Sequence, residues 1–275
     1  MKLKIATIQP KCNFKNDTPE RLDQAEVYVN EAAAKGASIV CFPEHYPGPV
    51  QSAKDGGYPY RDRLCEIAKD NNVYLIAGAM ERVGDTDKIN LVELVISSSG
   101  TVIGKYIRTT PSGPYIYDAW DVNYHEGEGP LEVFDTEFGK IGVLVCSEMF
   151  PPELSRILAL KGAEIIFYPV GGGLYDLKRS FQTIVKARAV ENLLYAATCS
   201  NIFGVESGVG LIAGPEEVIA VSPKPGVLVA EIDLERIRWL RETDEVFGFP
   251  KQYKTLPGVL KWRRPDLYRK NYPNW

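Results

Sequence analysis

Hydrophobic positions along the first part of the chain follow first a strand pattern, then a helix pattern, then a strand pattern again. Residues 3–8 predict a strand that ends before Pro10, and the apolar stripe within residues 22–34 predicts an amphipathic helix that ends at Gly36. Residues 37–42 are nearly all apolar and predict a second strand. Strand, helix and strand in this order are typical of an α/β layered fold.

The same patterns continue as far as residue 243. Further strands are predicted at 73–79, 89–97, 101–106, 131–134, 141–145, 163–169, 193–199, 208–212, 218–221 and 227–232, and helices at 61–71, 153–161, 177–192 and 234–243. Residues 109–129 are rich in Pro, Gly, Tyr, Trp and Asp without a period, which favours a functional loop. Because no linker or repeat interrupts the chain, we expect one domain over residues 1–275, with an extended tail from about residue 247.

The composition excludes several classes of protein. The 275 residues are 45% hydrophobic and 25% charged, with a formal net charge of -4, which suits a globular domain with an ample core. Mild acidity without a basic stretch argues against nucleic acid and against an anionic membrane surface. No apolar run is long enough to span a bilayer, and the N-terminal apolar run is too short for a signal peptide.

The cysteines and histidines argue against a disulfide framework and against a zinc site. The five cysteines have no CxxC spacing, and the two histidines, His45 and His125, have no metal-site spacing. We therefore expect a cytoplasmic protein with reduced thiols. Four of the cysteines lie in or beside apolar patterns and are predicted to be core residues: Cys12, Cys41, Cys65 and Cys199.

The fifth cysteine, Cys146, is the centre of the candidate chemistry. It follows the apolar run of residues 141–145 and precedes a predicted helix, so it lies at a strand-to-helix turn. Backbone N–H groups at such a turn can lower a thiol pKa and favour a nucleophile, although a free cysteine is more often a small buried hydrophobic residue. Glu44 likewise follows the strand of residues 37–42, at the strand end where α/β sites collect, and its alternative is a solvated carboxylate.

Five stretches resemble, in order and approximate spacing, the nitrilase superfamily of carbon–nitrogen hydrolases. They are FPEHYP, GTVIGKYIRTTP, LVCSEMFPPE, KARAVENLLYAATCSNIFG and RRPDLY, so the resemblance covers essentially the whole chain. It implies a four-layer α-β-β-α sandwich with a Glu–Lys–Cys triad. It also implies hydrolysis of a small amide, carbamoyl amide or nitrile through a covalent intermediate on cysteine, without metal or organic cofactor. Family members self-associate, which implies a homodimer or a larger homo-oligomer.

Carried over to this chain, the resemblance implies Cys146 as the nucleophile and Glu44 as the general base. A glutamate beside a buried pocket can have a pKa near neutrality, and the backbone N–H of Ser147 can stabilise an oxyanion. The family's Tyr-Arg-Lys-x-His motif reads Tyr-Ile-Arg-Thr-Thr here, so the lysine position is occupied by Arg108. Lys105 lies three residues before it and would point to the opposite face of a strand.

This replacement keeps a second function open. Arginine is effectively never deprotonated, so it can stabilise an oxyanion but would donate a proton to departing ammonia badly. The family's extra glutamate is also missing, since its position is occupied by Tyr115, with Asp118 the nearest carboxylate. The alternatives are a homologue that binds a small molecule or a partner protein, or an enzyme that passes its acyl group to another nucleophile. Retention of both Cys146 and Glu44 favours the hydrolase.

Other residues are predicted around the substrate. Tyr115 and Trp120 could form an aromatic wall, although aromatic residues in such a loop are as often packing residues. Glu148 could contact the substrate, orient a neighbouring group or bond a loop backbone. Arg188 and Glu191 are predicted to form a structural ion pair. The choice between amide and nitrile stays open.

Overall fold

Two β-sheets form the centre of the protein in a computed structural model, which describes residues 1–12, 20–48, 60–82, 86, 88–110, 123–124, 131–172, 178–205, 207–242 and 263–271. The strands are β1 (Lys2–Gln9), β2 (Lys11–Cys12), β3 (Ala37–Cys41), β4 (Tyr74–Arg82), β5 (Lys88–Ile96), β6 (Val102–Ile107), β7 (Asn123–Tyr124), β8 (Phe134–Asp135), β9 (Lys140–Val143), β10 (Ile165–Val170), β11 (Tyr195–Ser200), β12 (Ile202–Phe203), β13 (Gly210–Ala213), β14 (Val218–Ser222) and β15 (Gly226–Asp233). The helices are α1 (Glu20–Ala34), α2 (Arg61–Asp70), α3 (Pro152–Leu160), α4 (Lys178–Asn192), α5 (Leu234–Glu242) and α6 (Pro265–Asn271).

The order of the strands places parallel pairs inside each sheet. The first sheet has the order β15-β1-β3-β4-β5-β6, with β7 paired to β5, and the second has the order β14-β13-β11-β10-β9-β8. Strands β1, β3 and β4 are parallel in the first sheet, and β9, β10 and β11 are parallel in the second. Because parallel strands end at the same edge, the segments that follow β3, β9 and β10 can meet in one site.

Alternation of side chains along the strands produces the layers. In β3, Ile39 and Cys41 join a hydrophobic cluster that contains residues of both sheets, whereas Val40 joins the cluster formed with α1 and α2. Leu158 of α3 and Val185 of α4 pack on the second sheet, in the first of these clusters. The protein is therefore an α-β-β-α sandwich, as the resemblance implied.

Most predicted elements are confirmed within two residues at each end. Strand β4 extends three residues beyond its predicted end, and two further predictions differ more. The strand predicted at 131–134 is reduced to the two residues of β8. The tail predicted to be extended contains α6, which begins at Pro265, has Asp266 in its first turn, and ends with basic residues. Proline at the first helical position and charges that oppose the helix dipole both favour a helix. Residues 247–262 and 272–275 of the tail lie outside the described residues.

None of the described helices has the length and the apolar character that crossing a bilayer requires.

Candidate active site

The turn after β9 places Cys146 at the start of a single turn of 3-10 helix, Cys146–Met149. Its backbone φ is 54°, in the left-handed region that residues other than glycine rarely adopt. Leu144 and Val145 separate Cys146 from Val143, the last residue of β9, and Val145 is extended. This turn places the buried Cys146 thiol at the carboxyl ends of the parallel strands of the second sheet, where Gly171 follows β10.

The Cys146 thiol is almost entirely in its protonated form at neutral pH. Burial raises its pKa to about 12, and the charge of Glu44 contributes to the same shift. Arg108 opposes the shift, as do hydrogen bonds from the backbone N–H groups of Gly171 and Ser147. A thiol in this state reacts as a nucleophile only when a base removes its proton during attack. Glu44 is the candidate for that base, because it is the carboxylate whose charge contributes to the pKa of the thiol.

A buried ion pair joins Glu44 to Arg108. The exposed fraction is 4% for Glu44 and 2% for Arg108, and Nη1 of Arg108 donates a short hydrogen bond to Oε1 of Glu44. Nη2 of Arg108 donates to Oγ of Ser147 at 2.8 Å, and Nε donates to the carbonyl of Thr110 at 3.1 Å. The planar guanidinium thus spans from Glu44 to Ser147, the residue that follows Cys146. A single ammonium nitrogen could not match this fork.

Lys105 lies away from this ion pair, as its position in the strand predicts. Its Nζ bonds to Glu81 Oε1 at 2.6 Å on the protein surface, whereas Tyr106 and Arg108 on either side of Ile107 are both buried. The cation that the fold brings to Glu44 is therefore Arg108.

Two residues that the sequence analysis did not assign hold the Glu44 loop. Nδ2 of Asn201 donates to the backbone carbonyl of Glu44 at 2.8 Å and to that of Gly171 at 3.1 Å. A Cβ at Gly171 would lie 2.7 Å from Glu44 Oε2, so only glycine leaves the carboxylate in place.

His45 is buried beside the carboxylate, with its Nε2 3.5 Å from Glu44 Oε1. Asn201 and Gly204 stand at the end of KARAVENLLYAATCSNIFG, the fourth stretch that resembles the family, but the sequence indicated no role for Asn201.

The carboxylate of Glu148 accepts hydrogen bonds from five donors and is 1% exposed. The donors are Tyr106 Oη (2.8 Å) and the Val145 N–H (2.8 Å) on Oε2, with the Thr109 N–H (2.7 Å), Thr109 Oγ1 (2.7 Å) and the Thr110 N–H (3.1 Å) on Oε1. These bonds tie the loop after β6 to the turn of Cys146. They favour the loop-bonding alternative for Glu148, while a direct contact with the substrate stays a prediction.

The predicted ion pair of Arg188 and Glu191 is present, with Nη1 and Oε1 2.7 Å apart. The same guanidinium donates to the carbonyls of Met149 at 2.9 Å and Phe150 at 2.6 Å. Helix α4 therefore also holds the end of the turn that begins at Cys146, a role that the sequence did not indicate.

A further acid, Glu93 of β5, lies inside the protein and was not predicted to belong to the site. It is 1% exposed, and its electrostatic neighbours include Glu44 and Arg108. A charged residue between the apolar pairs of LVELV was the available signal. The described residues contain no group of three or more His, Cys, Asp and Glu side chains that could hold a metal ion.

Four residues discussed from the sequence fall outside the part of the chain that the structure describes: Tyr115, Asp118, Trp120 and His125. Of the four cysteines predicted as core, Cys12, Cys41 and Cys199 are buried, whereas Cys65 is only half-buried on α2 and corrects that prediction. Its helix places it beside the apolar face rather than within it, where it packs on the edge of the α1 and α2 cluster.

Comparison with known proteins agrees with this architecture. A profile of the carbon–nitrogen hydrolase family matches residues 4–242. The chain is 29% identical to the N-carbamoylputrescine amidase of Arabidopsis thaliana, over 96% of this chain and 93% of the amidase, and 29% identical to a nitrilase of Pyrococcus abyssi, over 89% and 91%. The crystal structure of a carbon–nitrogen hydrolase from Helicobacter pylori covers 98% of each chain with a TM-score of 0.82 at 23% identity. The chain belongs to the carbon–nitrogen hydrolase family.

Proposed function

We propose that this carbon–nitrogen hydrolase cleaves a small amide, carbamoyl amide or nitrile through a covalent bond to Cys146, with Glu44 as the general base and Arg108 as the cation of the site. The observation that carries the proposal is the buried pair of Glu44 and Arg108 beside a thiol that senses both charges. Further support comes from relatives named as an amidase of a carbamoyl compound and as a nitrilase.

The first half of the reaction forms the covalent intermediate. Glu44 takes the proton of the Cys146 thiol while the sulfur attacks the carbonyl carbon of an amide, and the C=O electron pair moves to oxygen. The N–H of Ser147 and the guanidinium of Arg108 stabilise the negative oxygen. When the oxygen re-forms its double bond, the C–N bond breaks, and protonated Glu44 returns the proton to the departing nitrogen. Ammonia leaves a thioester on Cys146.

The second half regenerates the enzyme. Glu44 removes a proton from water, the hydroxyl oxygen attacks the thioester carbon, and the C–S bond breaks as the proton passes to sulfur. The products are a carboxylic acid and the free thiol of Cys146. In this scheme Glu44 carries every proton, so Arg108 donates none and acts through its charge and its hydrogen bonds to Glu44 and Ser147. Replacement of the family's lysine by arginine is therefore compatible with hydrolysis.

A second candidate rests on the same buried pair. Arg108 bonds one oxygen of Glu44 and, because it is effectively never deprotonated, cannot itself help to activate water. A site of this kind favours a nucleophile that needs less activation than water, so the acyl group would pass to an amine or another acceptor. The non-catalytic homologue remains the third alternative.

The test is release of ammonia from a panel of amides, carbamoyl amides and nitriles. We expect release by the wild-type protein and a loss of about a thousandfold or more in Cys146→Ala, since the nucleophile of a covalent mechanism is removed. Cys65→Ala is the matched control, because this half-buried cysteine lies on α2. Full activity in Cys146→Ala would overturn the proposal. Ammonia release that rises only when an amine is added would favour acyl transfer.

We also propose that the chain forms one domain over residues 1–275 and assembles as a homodimer or a larger homo-oligomer. Phe150 and, on α3, Ile157 and Leu160 are between 38% and 46% exposed, an apolar surface that a second copy could cover. Sedimentation of the wild type and of the double variant Ile157→Glu, Leu160→Glu tests the assembly. A monomeric wild type would contradict it. The cytoplasmic location stays a prediction.

A further inference from the structure

Glu93 is a carboxyl group enclosed between the two sheets. In β5 the neighbouring residues Val92 and Leu94 face the cluster formed with α1 and α2, so strand alternation turns Glu93 to the opposite face. Glu93 is paired with Gly78 on β4, which has no side chain, and with Tyr106 on β6, a member of the cluster between the sheets. A Cβ at Gly78 would lie 2.5 Å from the backbone N of His45, so the turn that follows β3 packs over Gly78, next to Glu93.

The three buried glutamates of this region differ in the hydrogen-bond donors that their carboxyl oxygens have. Glu44 has Arg108, and Glu148 has its five donors, but Oε2 of Glu93 has no hydrogen-bond partner among the described residues. Burial raises the pKa of Glu93 well above 4.5, and Glu44 and Cys199 raise it further, while Arg108 acts in the opposite direction. A buried carboxylate without a partner becomes neutral rather than keep its charge.

We propose that Glu93 is a positioning residue that remains a neutral carboxylic acid at neutral pH, so that the charge of Arg108 is left to Glu44 and Ser147. The proposal rests on the proposed roles of Glu44 and Arg108. Because neutral Glu93 does not attract the guanidinium of Arg108, the guanidinium stays bound to Glu44 although Glu93 and Glu148 are also close to the site.

Ionisation of Glu93 at higher pH would change the site. A second negative charge near Arg108 would draw the guanidinium from Glu44, and repulsion would disfavour the thiolate of Cys146. The titratable groups around Glu93 come from several elements of the described structure: Cys41 of β3, Glu44 after β3, Tyr106 of β6, Arg108 after β6 and Cys199 of β11. His45 lies beside Glu44, and its backbone packs over Gly78. We therefore expect Glu93 to set an alkaline limit on activity.

Infrared spectroscopy tests the protonation of Glu93 without any substrate. At neutral pH, the wild type should show the C=O band of a protonated carboxylic acid that is absent from Glu93→Gln. Glu81→Gln is the matched control, since Glu81 lies on the adjacent strand in an exposed ion pair with Lys105 and should leave the band intact. A wild-type spectrum without this band overturns the proposal even if the enzyme is an active hydrolase.

The positioning role is tested by the pH profile of kcat/KM. Glu93→Gln should stay within about threefold of the wild type at neutral pH and should keep its activity to about one pH unit higher, because an amide cannot ionise. An unchanged alkaline limb, or a loss of about a hundredfold or more at neutral pH in a folded variant, contradicts the role. If Glu93→Gln does not fold, Glu93→Met, which is neutral and of similar length, replaces it in both measurements. If neither the wild type nor Cys146→Ala releases ammonia, the proposed function fails while the infrared result still decides the state of Glu93.

Discussion

Removal of the Glu148 carboxylate should destabilise the protein more than any change at an exposed acid. The side chain joins the loop after β6 to the Cys146 turn through its five donors. In Glu148→Ala all five donors lose their acceptor. In Glu148→Gln one oxygen can still serve Thr109 and Thr110, but the amide nitrogen must then face the N–H of Val145, which is a donor itself.

The magnitude follows from the burial of these donors. The N–H of Val145 and the hydroxyl of Tyr106 are buried, and each costs about 1–3 kcal/mol when left unpaired. The bonds from Thr109 and Thr110 lie nearer to solvent, so water replaces part of them. We expect Glu148→Ala to lower the free energy of unfolding by about 4 kcal/mol, close to the upper range for single substitutions. For Glu148→Gln we expect about 2 kcal/mol, since one donor meets another donor.

Urea unfolding at equilibrium measures both values, with the slope of the transition as a check that both variants unfold in the same way. Glu153→Gln, an exposed acid in the first turn of α3, is the control and should stay within about 0.5 kcal/mol of the wild type. If Glu148→Ala also stays within about 0.5 kcal/mol of the wild type, the carboxylate does not anchor the Cys146 turn.

Three further predictions follow from the site. Arg108→Lys keeps the charge but cannot reach Glu44 and Ser147 together, so kcat/KM in the ammonia assay should fall about ten- to a hundredfold, and wild-type activity would contradict the bridging role. Gly171→Ala places a Cβ 2.7 Å from Glu44 Oε2, so kcat should fall about tenfold or more with a smaller effect on KM; an unchanged kcat would show that the base tolerates displacement. The raised pKa of Glu93 means that the folded state holds a proton that the unfolded state releases above about pH 4.5. The free energy of unfolding of the wild type, relative to that of Glu93→Gln, should therefore fall by about 1.4 kcal/mol per pH unit between about pH 4.5 and the pKa of Glu93 in the folded state. Urea unfolding at several pH values measures this difference, and a difference that does not vary with pH would contradict the prediction.

The layers of the fold could be predicted from the sequence because burial follows local periods. The apolar stripe of α1 and the unbroken apolar run of β3 each report which face is covered. Helix α6 could not be predicted in this way, since it has no buried residues and its sequence therefore lacks an apolar stripe. Its stabilising features are its proline and its charges, which are weak signals beside three nearby prolines.

The residues of the site likewise differ in whether a local stretch of sequence reveals them. Cys146, Glu44 and Arg108 stand in motifs that a single stretch of sequence displays. The contributions of Glu93 and Asn201 depend on partners brought together by the fold: Glu93 needs the register that sets it between Gly78 and Tyr106, and Asn201 bonds a carbonyl 157 positions away in the chain. Such pairings follow from strand order and register, which local patterns do not encode.

The most direct measurement of the central claim is the mass of the intact protein, quenched within the first turnovers on an amide that it hydrolyses. We expect a species heavier than the free enzyme by the acyl group, with the added mass on the peptide that contains Cys146 and no such species in Cys146→Ala. Turnover by Cys146→Ala at the wild-type rate, or an adduct on any other cysteine, would contradict the account.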